Sequence, residues 1–249
     1  NAAFSPNIRD RLDFSCAVFD ANGELCAQAA HIPVHLGSMA FAMRDIVGGI
    51  AWQPGDQVVL NDPFLGGTHL PDVTLIAPFF AAGELLGFVA NRAHHADIGA
   101  GSPGSMPISA TLYEEGTVIP PTLLVRDDRI VDAVHREIVA KTRNATESAG
   151  DFAAQIAANR AGVARIAELI AGGEGLPFIT GVDELNAYAE RLARRAVEAI
   201  PVGVYRFADV LHDDGQGNSA IPIVVTLHVE HERVTADFSG TAEQVAGNV

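Results

Sequence analysis

Alternation of apolar and polar residues dominates the first 95 positions and predicts strands. "FSCAVFD" and "ELCAQAA" form one predicted hairpin, because Asn22-Gly23 between them is typical of a tight turn. "GDQVVLND" predicts a third strand, and "VTLIAPFF" (73–80) and "ELLGFVAN" (84–91) predict a second antiparallel hairpin. Apolar residues at helical spacing predict a helix over 33–50. They are Leu36, Met39, Ala40, Met43, Ile46, Val47 and Ile50.

The pattern becomes helical between residues 131 and 200 and returns to alternation from Val204. One helix, predicted to end at "GGEG", has an apolar face of Phe152, Ile156, Val163, Ile166 and Ile170. The apolar face of a second predicted helix consists of Leu185, Tyr188, Leu192 and Ala196. This order predicts an α+β fold of mainly antiparallel sheets with an inserted helical segment. We divide the chain into a mixed region (1–130), a helical segment (131–200) and antiparallel strands (201–249).

Charge and cysteine content narrow the class of protein. The chain has 31 acidic against 16 basic residues and no basic stripe, which argues against nucleic acid or a membrane as partner. Apolar runs stay below the roughly 20 residues that span a bilayer, and we see no secretory leader. The first hairpin pairs Cys16 with about Ala29 rather than with Cys26, so we predict free thiols in a reducing cytoplasm. Both ends look cut, and we interpret the sequence as the N-terminal part of a longer polypeptide.

Ligand-type side chains gather at one end of the second predicted hairpin. With its turn near Ala82-Gly83, Asp72 falls opposite about Arg92 or Ala93, so "THLPD" and "NRAHHAD" meet at one edge. The residues brought together are His69, Asp72, His94 and His95, with Asp97 two positions beyond them. The register is open by one residue, so these patterns leave either His94 or His95 facing His69.

Two imidazoles and a carboxylate suit a catalytic Zn²⁺, Mn²⁺ or Fe²⁺ and leave positions for water or substrate. The alternative is that "NDPFLGGTHLPD" (61–72) is only a turn, since turns favour Asp, Gly and Pro for backbone reasons. Convergence with "HHAD" favours the metal site. Asp97, the remaining histidine or Asp62 could then orient the ligands. Asp62 has no firmer assignment.

Three other features carry weaker chemical signals. Arg92 could bind a substrate carboxylate or form an ordinary ion pair, and we interpret His31 and His35 as capping or packing residues. "GAGSPGSMP" (99–107) matches no phosphate loop, and we interpret it as a mobile or substrate-covering loop. No Gly-x-Ser-x-Gly motif is present and no cysteine adjoins the histidines, so nucleophilic catalysis by Ser or Cys has little support.

Several long motifs occur in an order that resembles the hydantoinase B/5-oxoprolinase family. They include "NDPFLGGTHLPDVTLIAPFF", "FVANRAHHADIGAGSPGSMP", "GDFAAQIAANRAG" and "ADFSGT". The resemblance implies a cytoplasmic B-type subunit that carries a metal and joins an A-type subunit in a hetero-oligomer. The A-type subunit would bind ATP and phosphorylate the substrate carbonyl. In related ketone carboxylases a His-x-x-Asp and a later His bind the metal, which implies His69, Asp72 and His94 here.

The leading interpretation is a subunit of an ATP-dependent hydrolase of cyclic amides such as hydantoins, 5-oxoproline or lactams. In it, His95 or Asp97 moves protons or orders water, and Arg92 contacts the substrate. One alternative is a subunit of an acetone or acetophenone carboxylase. The other is a non-catalytic structural subunit in which the His/Asp cluster only holds the fold.

Overall fold

The computed structural model describes residues 2–30, 32–104, 107–172 and 178–249. The strands in these ranges are β1 Phe14–Asp20, β2 Leu25–Ala30, β3 Gln57–Leu60, β4 Asp72–Ala81, β5 Glu84–His94, β6 Thr122–Arg126, β7 Arg129–Ile130, β8 Gly203–Asp213, β9 Ser219–Val229 and β10 Val234–Asp237. The helices are α1 Pro6–Arg9, α2 His35–Ile46, α3 Leu112–Glu115, α4 Asp132–Val139, α5 Ala145–Gly172 and α6 Phe178–Glu198. The predicted α+β class with mainly antiparallel sheets is confirmed.

Seven antiparallel strands form the main sheet in the order β2-β1-β5-β4-β3-β6-β7. The predicted hairpin β4–β5 lies at its centre, but Asp72 pairs with His94 rather than with Arg92 or Ala93. A bulge between Phe79 and Phe80 shifts the register by one residue, which the local pattern does not reveal. In the first hairpin Cys16 pairs with Ala29 as predicted, and both cysteines are free thiols.

Helices cover both faces of this sheet. On one face α2 buries Met39, Met43 and Ile46 against strand residues that include Phe19, Ile76 and Phe88. On the other face α5 packs Val163, Ile166 and Ile170 on Ala77, Phe79 and Val89. Ile76 and Ala77 are consecutive in β4 and point to opposite faces of the sheet, so each belongs to a different apolar layer. Because both faces are covered, β4 is buried from Asp72 to Phe79.

The predicted helix over 33–50 is shorter in the structure. It starts at His35, ends at Ile46 and continues as a 3₁₀ turn over Val47–Gly49. Leu36, placed on the apolar face from its spacing, is 51% exposed. Helix α5 was predicted to end at "GGEG", but residues 173–175 of that motif lie outside the described residues.

A ladder of buried amides joins α5 to the sheet beside the apolar layer. The Asn91 side-chain amide donates to the Gln155 carbonyl (3.0 Å) and to Asn159 Oδ1 (2.8 Å). Gln155 Nε2 donates to the Val73 carbonyl (2.9 Å) and to Asn91 Oδ1 (2.8 Å). Asn159 Nδ2 in turn donates to Gln57 Oε1 at 3.2 Å. These amides satisfy one another away from water, so the ladder sets the position of α5 along the strands.

We expect Gln155→Met to lower the free energy of unfolding by at least about 2 kcal/mol. The variant keeps the length and helix propensity of the side chain but leaves Asn91 Oδ1 without its donor and His95 Nε2 without its acceptor, and each buried unsatisfied group costs about 1–3 kcal/mol. Urea denaturation measures the change. The control is Glu168→Met on the exposed face of the same helix, expected within about 0.5 kcal/mol of wild type. Equal stability of the two variants would contradict a role for the ladder.

The chain clusters into two compact units, Asn1–Pro107 with Tyr113–Val182, and Ile108–Leu112 with Asp183–Val249. The second unit contains the predicted meander, with strand order β10-β9-β8. Its part of α6 leaves Leu185, Tyr188 and Leu192 about half exposed, at 48%, 53% and 47%. The three-part division drawn from the sequence stays a prediction. No helix in the described ranges is both long and apolar enough to cross a bilayer.

Candidate metal centre

The centre is assembled where β4 begins and β5 ends. Asp72 and His94 are direct partners across these two strands. His69 stands three residues earlier in the preceding turn, whose backbone is closed by a hydrogen bond from the Asp72 N–H to the His69 carbonyl (3.0 Å). The Pro71 carbonyl accepts the N–H of His95 at 2.8 Å, which ties this turn to the end of β5. The turn and the hairpin together bring both histidines to one carboxylate.

His69, Asp72 and His94 place one ligand atom each within 4.8 Å of the others. His69 Nδ1 lies 3.1 Å from Asp72 Oδ2, and His94 Nδ1 lies 3.4 Å from Asp72 Oδ1. The two imidazole ring centroids are 4.9 Å apart and tilted by 48°. The side chains of Asp72 and His94 are 2% and 8% exposed, whereas that of His69 is 23% exposed. The cluster is thus buried on the sheet side and open on the His69 side.

The Asp72 carboxylate is the focus of this cluster. Burial by itself disfavours its charge, but contacts with His35, His69 and His94 outweigh burial and hold the pKa of the carboxyl well below its usual range. Because the folded-state pKa is lowered, the resulting stabilisation is complete above the ordinary aspartate pKa and is lost as the pH falls through the folded-state value. Asp72 is therefore ionised at any mildly acidic pH, as a metal ligand must be.

These residues fit a divalent metal. Asp72 Oδ1 is buried and accepts no hydrogen bond from any residue that the structure describes, so a lone pair is left for a cation inside the cluster. Two imidazole nitrogens and a carboxylate oxygen form a donor set that suits Zn²⁺, Mn²⁺ or Fe²⁺. The same donors do not discriminate among these three metals.

A cavity of about 310 Å³ opens over the cluster. It is lined by the three candidate ligands, by His35, by Asn7, Arg11 and Asp13 ahead of β1, and by Ile32, Val34 and Gly104. Its volume falls at the small end of pockets that hold small molecules.

Comparison with known proteins places the chain in a family. Residues 1–249 match a family model that is described as "Hydantoinase B/oxoprolinase". The chain belongs to this family. A 5-oxoprolinase of Dictyostelium discoideum is 37% identical over 99% of this chain and 20% of that protein. A protein of a Pseudomonas species, provisionally named as the B-type subunit of a D-/L-hydantoinase, is 32% identical over 98% of this chain and 43% of its own.

The chain also shares its fold with a protein of known structure. The ATP-dependent caprolactamase from Pseudomonas jessenii superposes with a TM-score of 0.88 at 29% identity, covering 94% of this chain and 41% of that chain. This hydantoinase B/oxoprolinase chain thus spans about a fifth to less than half of the length of these similar proteins.

The loop 61–72 of this family member is built to aim His69 and Asp72. Asn61 is buried and donates to the Leu70 and Thr117 carbonyls, both at 2.8 Å. Asp62, considered from the sequence only as a group that could orient the ligands, caps the 3₁₀ turn Pro63–Leu65 by accepting the Phe64 N–H (2.9 Å). Asp62 therefore shapes the loop and does not line the cavity over the cluster.

Arg92 holds the same loop in place through a hydrogen bond from the interior of the protein. It is fully buried, and its guanidinium donates to Thr74 Oγ1 (2.8 Å), Ser38 Oγ (2.6 Å) and the Gly66 carbonyl (2.8 Å). Burial lowers the pKa of Arg92 to about 10, so it remains a cation at neutral pH. These contacts link β5 to α2 and to the loop. A substrate-binding role for Arg92 stays a prediction.

His95 and Asp97 lie apart from the cavity. His95 alternates with His94 and points to the α5 side, where its Nε2 donates to Gln155 Oε1 (2.8 Å) and its ring packs on Phe152. Burial lowers the pKa of His95 and favours its neutral form. Asp97 accepts the N–H groups of Gly99 (2.8 Å) and Arg143 (2.7 Å) and so anchors the glycine-rich segment. The structure does not bring either group to the cluster, and their catalytic roles stay predictions.

Two further groups, which the sequence patterns did not reveal, also lie at the centre. His35 was interpreted as a capping or packing residue, and it is buried, but its Nε2 also lies 3.3 Å from Asp72 Oδ2. Asp13 Oδ2 lies 3.9 Å from His94 Nδ1, because β1 pairs with β5 in a register that sets Phe14 opposite Ala93. Both contacts depend on long-range packing, which local periodicity does not report. His31, interpreted together with His35, lies outside the described residues.

Replacement of His35 by leucine is expected to weaken metal binding by about 10–100-fold, the range for loss of a group that orients a ligand. His35 donates from Nε2 to the Asp72 carboxylate, which can only accept, and its Nδ1 lies 3.0 Å from Ser15 Oγ, so the ring is held between the two groups and orients the carboxylate. Calorimetric titration with Zn²⁺ measures the change. Ser15→Ala keeps the imidazole and is expected to have a smaller effect in the same direction. Unchanged affinity in His35→Leu would assign this histidine to packing alone.

Proposed function

We propose that the chain is the metal-carrying part of an ATP-dependent hydrolase of cyclic amides. The observation that carries the proposal is the convergence of His69, Asp72 and His94 at one open cavity, where Asp72 Oδ1 has no hydrogen-bond donor among the described residues. Family membership supports the same conclusion, since similar proteins are named for 5-oxoproline, hydantoin and caprolactam.

A divalent metal held by these three residues would supply Lewis-acid chemistry for hydrolysis of the activated cyclic amide. The residues of the chain supply position and charge. Asp72 stays ionised and is oriented by His35, and the loop 61–72 sets the approach of His69. Asp13 lines the cavity beside His94 and is placed to accept a proton from an attacking water.

ATP is assigned to a partner in this proposal. Ring amides resist hydrolysis, and phosphorylation of the carbonyl oxygen by an A-type subunit would make the carbonyl carbon more reactive. The sequence has no phosphate loop, because its glycine-rich segment is not followed by lysine. Among similar proteins, one is named as a single subunit of a hydantoinase and another as an ATP-dependent caprolactamase, which supports a hetero-oligomer that uses ATP.

The test is to purify the chain with the subunit that accompanies it, measure its metal content, and assay ATP turnover. We expect one divalent metal per chain and ATP turnover that depends on a cyclic amide such as 5-oxoproline, a hydantoin or a lactam. Turnover that instead requires a ketone and bicarbonate would assign the chain to the carboxylase alternative. If chelation lowered the melting temperature while turnover remained intact, the cluster would be structural only.

A further inference from the structure

The segment ahead of β1 brings to the cavity a cation that the proposed reaction has not used. Asn7, Arg11 and Asp13 precede β1 and line the cavity together with His69 and His94. Arg11 is exposed, and its backbone is held by a hydrogen bond from its N–H to the Pro6 carbonyl (3.0 Å). The Arg11 backbone is therefore fixed beside the cavity that this residue lines.

Arg11 differs from the other arginines near the site. Arg9 forms an ion pair with Asp10 at 2.8 Å, and Arg92 is buried with all three of its contacts inside the protein. Arg143 pairs with Asp97 and also donates to carbonyls of the glycine-rich segment. Across the parts of the chain that the structure describes, no ion pair within 4.0 Å involves Arg11. Its charge is thus available to a ligand in the cavity.

The charges around the cavity favour an anion once a metal is bound. Asp13 and Asp72 contribute two negative charges and Arg11 one positive charge, so the net charge of these groups is negative. Binding of a divalent metal would make the net charge positive. A guanidinium presents paired donors that match two oxygens of a carboxylate or phosphoryl group. The amide of Asn7, which lines the same wall, can donate to a further oxygen.

We propose that Arg11, with Asn7 beside it, forms a subsite for an oxyanion carried by the substrate. The oxyanion is a carboxylate on the ring or a phosphoryl group added to the ring carbonyl. This inference rests on the proposed function, because it assumes that a cyclic amide occupies the cavity over His69, Asp72 and His94. The subsite would distinguish substrates that bear an anionic group from neutral ring amides. A neutral ring amide would bind Arg11 only after phosphorylation.

The test uses the full chain loaded with Zn²⁺ and calorimetric titration with three probes. They are 5-oxoproline, 2-pyrrolidone, which is the same ring without the carboxylate, and inorganic phosphate. Arg11→Gln is expected to weaken binding of 5-oxoproline, of phosphate or of both by about 10–100-fold, as for loss of a charge-assisted hydrogen bond, and to leave 2-pyrrolidone unaffected. The probe that loses affinity identifies the oxyanion as carboxylate or phosphoryl. Arg11→Lys keeps the charge and should recover part of the affinity.

Arg9→Gln is the matched control, because it removes a nearby exposed arginine that is already paired with Asp10. It is expected to bind all probes as wild type does. The subsite alone is overturned if Arg11→Gln keeps its metal and binds both anions normally, if Arg9→Gln loses as much affinity, or if the wild-type chain binds neither anion. A wild-type chain that takes up no divalent metal contradicts the proposed function itself, and the subsite with it.

Discussion

Replacement of Asp72 by asparagine is expected to abolish stoichiometric binding of divalent metal and, with it, turnover by the assembled complex. The substitution preserves the shape of the side chain but removes the charge that His35, His69 and His94 surround. It also turns an amide N–H toward groups that donate to the carboxylate, among them Thr68 Oγ1. Loss of an orienting partner already weakens metal binding by about 10–100-fold, so loss of a ligand should exceed that range.

Metal analysis of the purified variant and a Zn²⁺ titration measure this effect, and circular dichroism checks that the variant is folded. The control is Asp62→Asn in the same loop. Asparagine replaces aspartate well as a cap of the Phe64 N–H, so this variant should bind metal as wild type does. Full metal content in Asp72→Asn would exclude Asp72 as a ligand. Loss of metal from both variants would point to a general disturbance of the loop.

Gly66→Ala is expected to cause the largest loss of stability from a single methyl group near the site. Gly66 ends the 3₁₀ turn of the loop with a φ of +82°, a left-handed conformation that costs other residues about 1–2 kcal/mol. A Cβ at this position would overlap the backbone of Ala42 in α2, and main-chain atoms of a packed helix cannot move aside cheaply. Overpacking of this kind adds about 1–3 kcal/mol. Because the loop carries His69, the variant should also bind metal more weakly.

Gly83→Ala provides a matched control for this prediction. Gly83 has a φ of +84° in the turn of the β4–β5 hairpin, and a Cβ there would meet nothing within 4 Å. It should therefore show the conformational cost alone, about 1–2 kcal/mol, with normal metal affinity. Chemical denaturation of the two variants gives the difference that is due to contact with α2. If both lost the same stability, the close approach of loop and helix would have no energetic weight.

The amino-acid pattern was sufficient for the hairpin and for the neighbourhood of His69, Asp72 and the two adjacent histidines. An antiparallel hairpin brings its ends together whatever the rest of the chain does, so local alternation and a turn signal suffice. The choice between His94 and His95 depended on one residue of register. The bulge at Phe79/Phe80 set that register, and nothing in the local pattern of apolar residues marks it. The family resemblance, rather than periodicity, selected His94.

The groups that surround the cluster could not be predicted in the same way. His35 reaches Asp72 from α2, and Asp13 reaches His94 through the pairing of β1 with β5. Gln155 has an unremarkable position in a helical pattern, yet it is buried against Asn91. Each contact joins segments distant in sequence, and the local pattern of apolar and polar residues carries no signal for such contacts.

The closeness of the three candidate ligands along the chain has a consequence for folding. They fall within residues 69–94, whereas the amide hydrogen bonds between α5 and the strands join residues 64 to 102 positions apart. Short-range contacts form with less loss of chain entropy than long-range ones, so the hairpin can close before α5 docks. We infer that the ligand set is complete on a growing polypeptide before α5 has been synthesised. An ion captured at that stage would hold β4 against β5 early, and metal supply would then influence how fast the protein matures as well as how active it becomes.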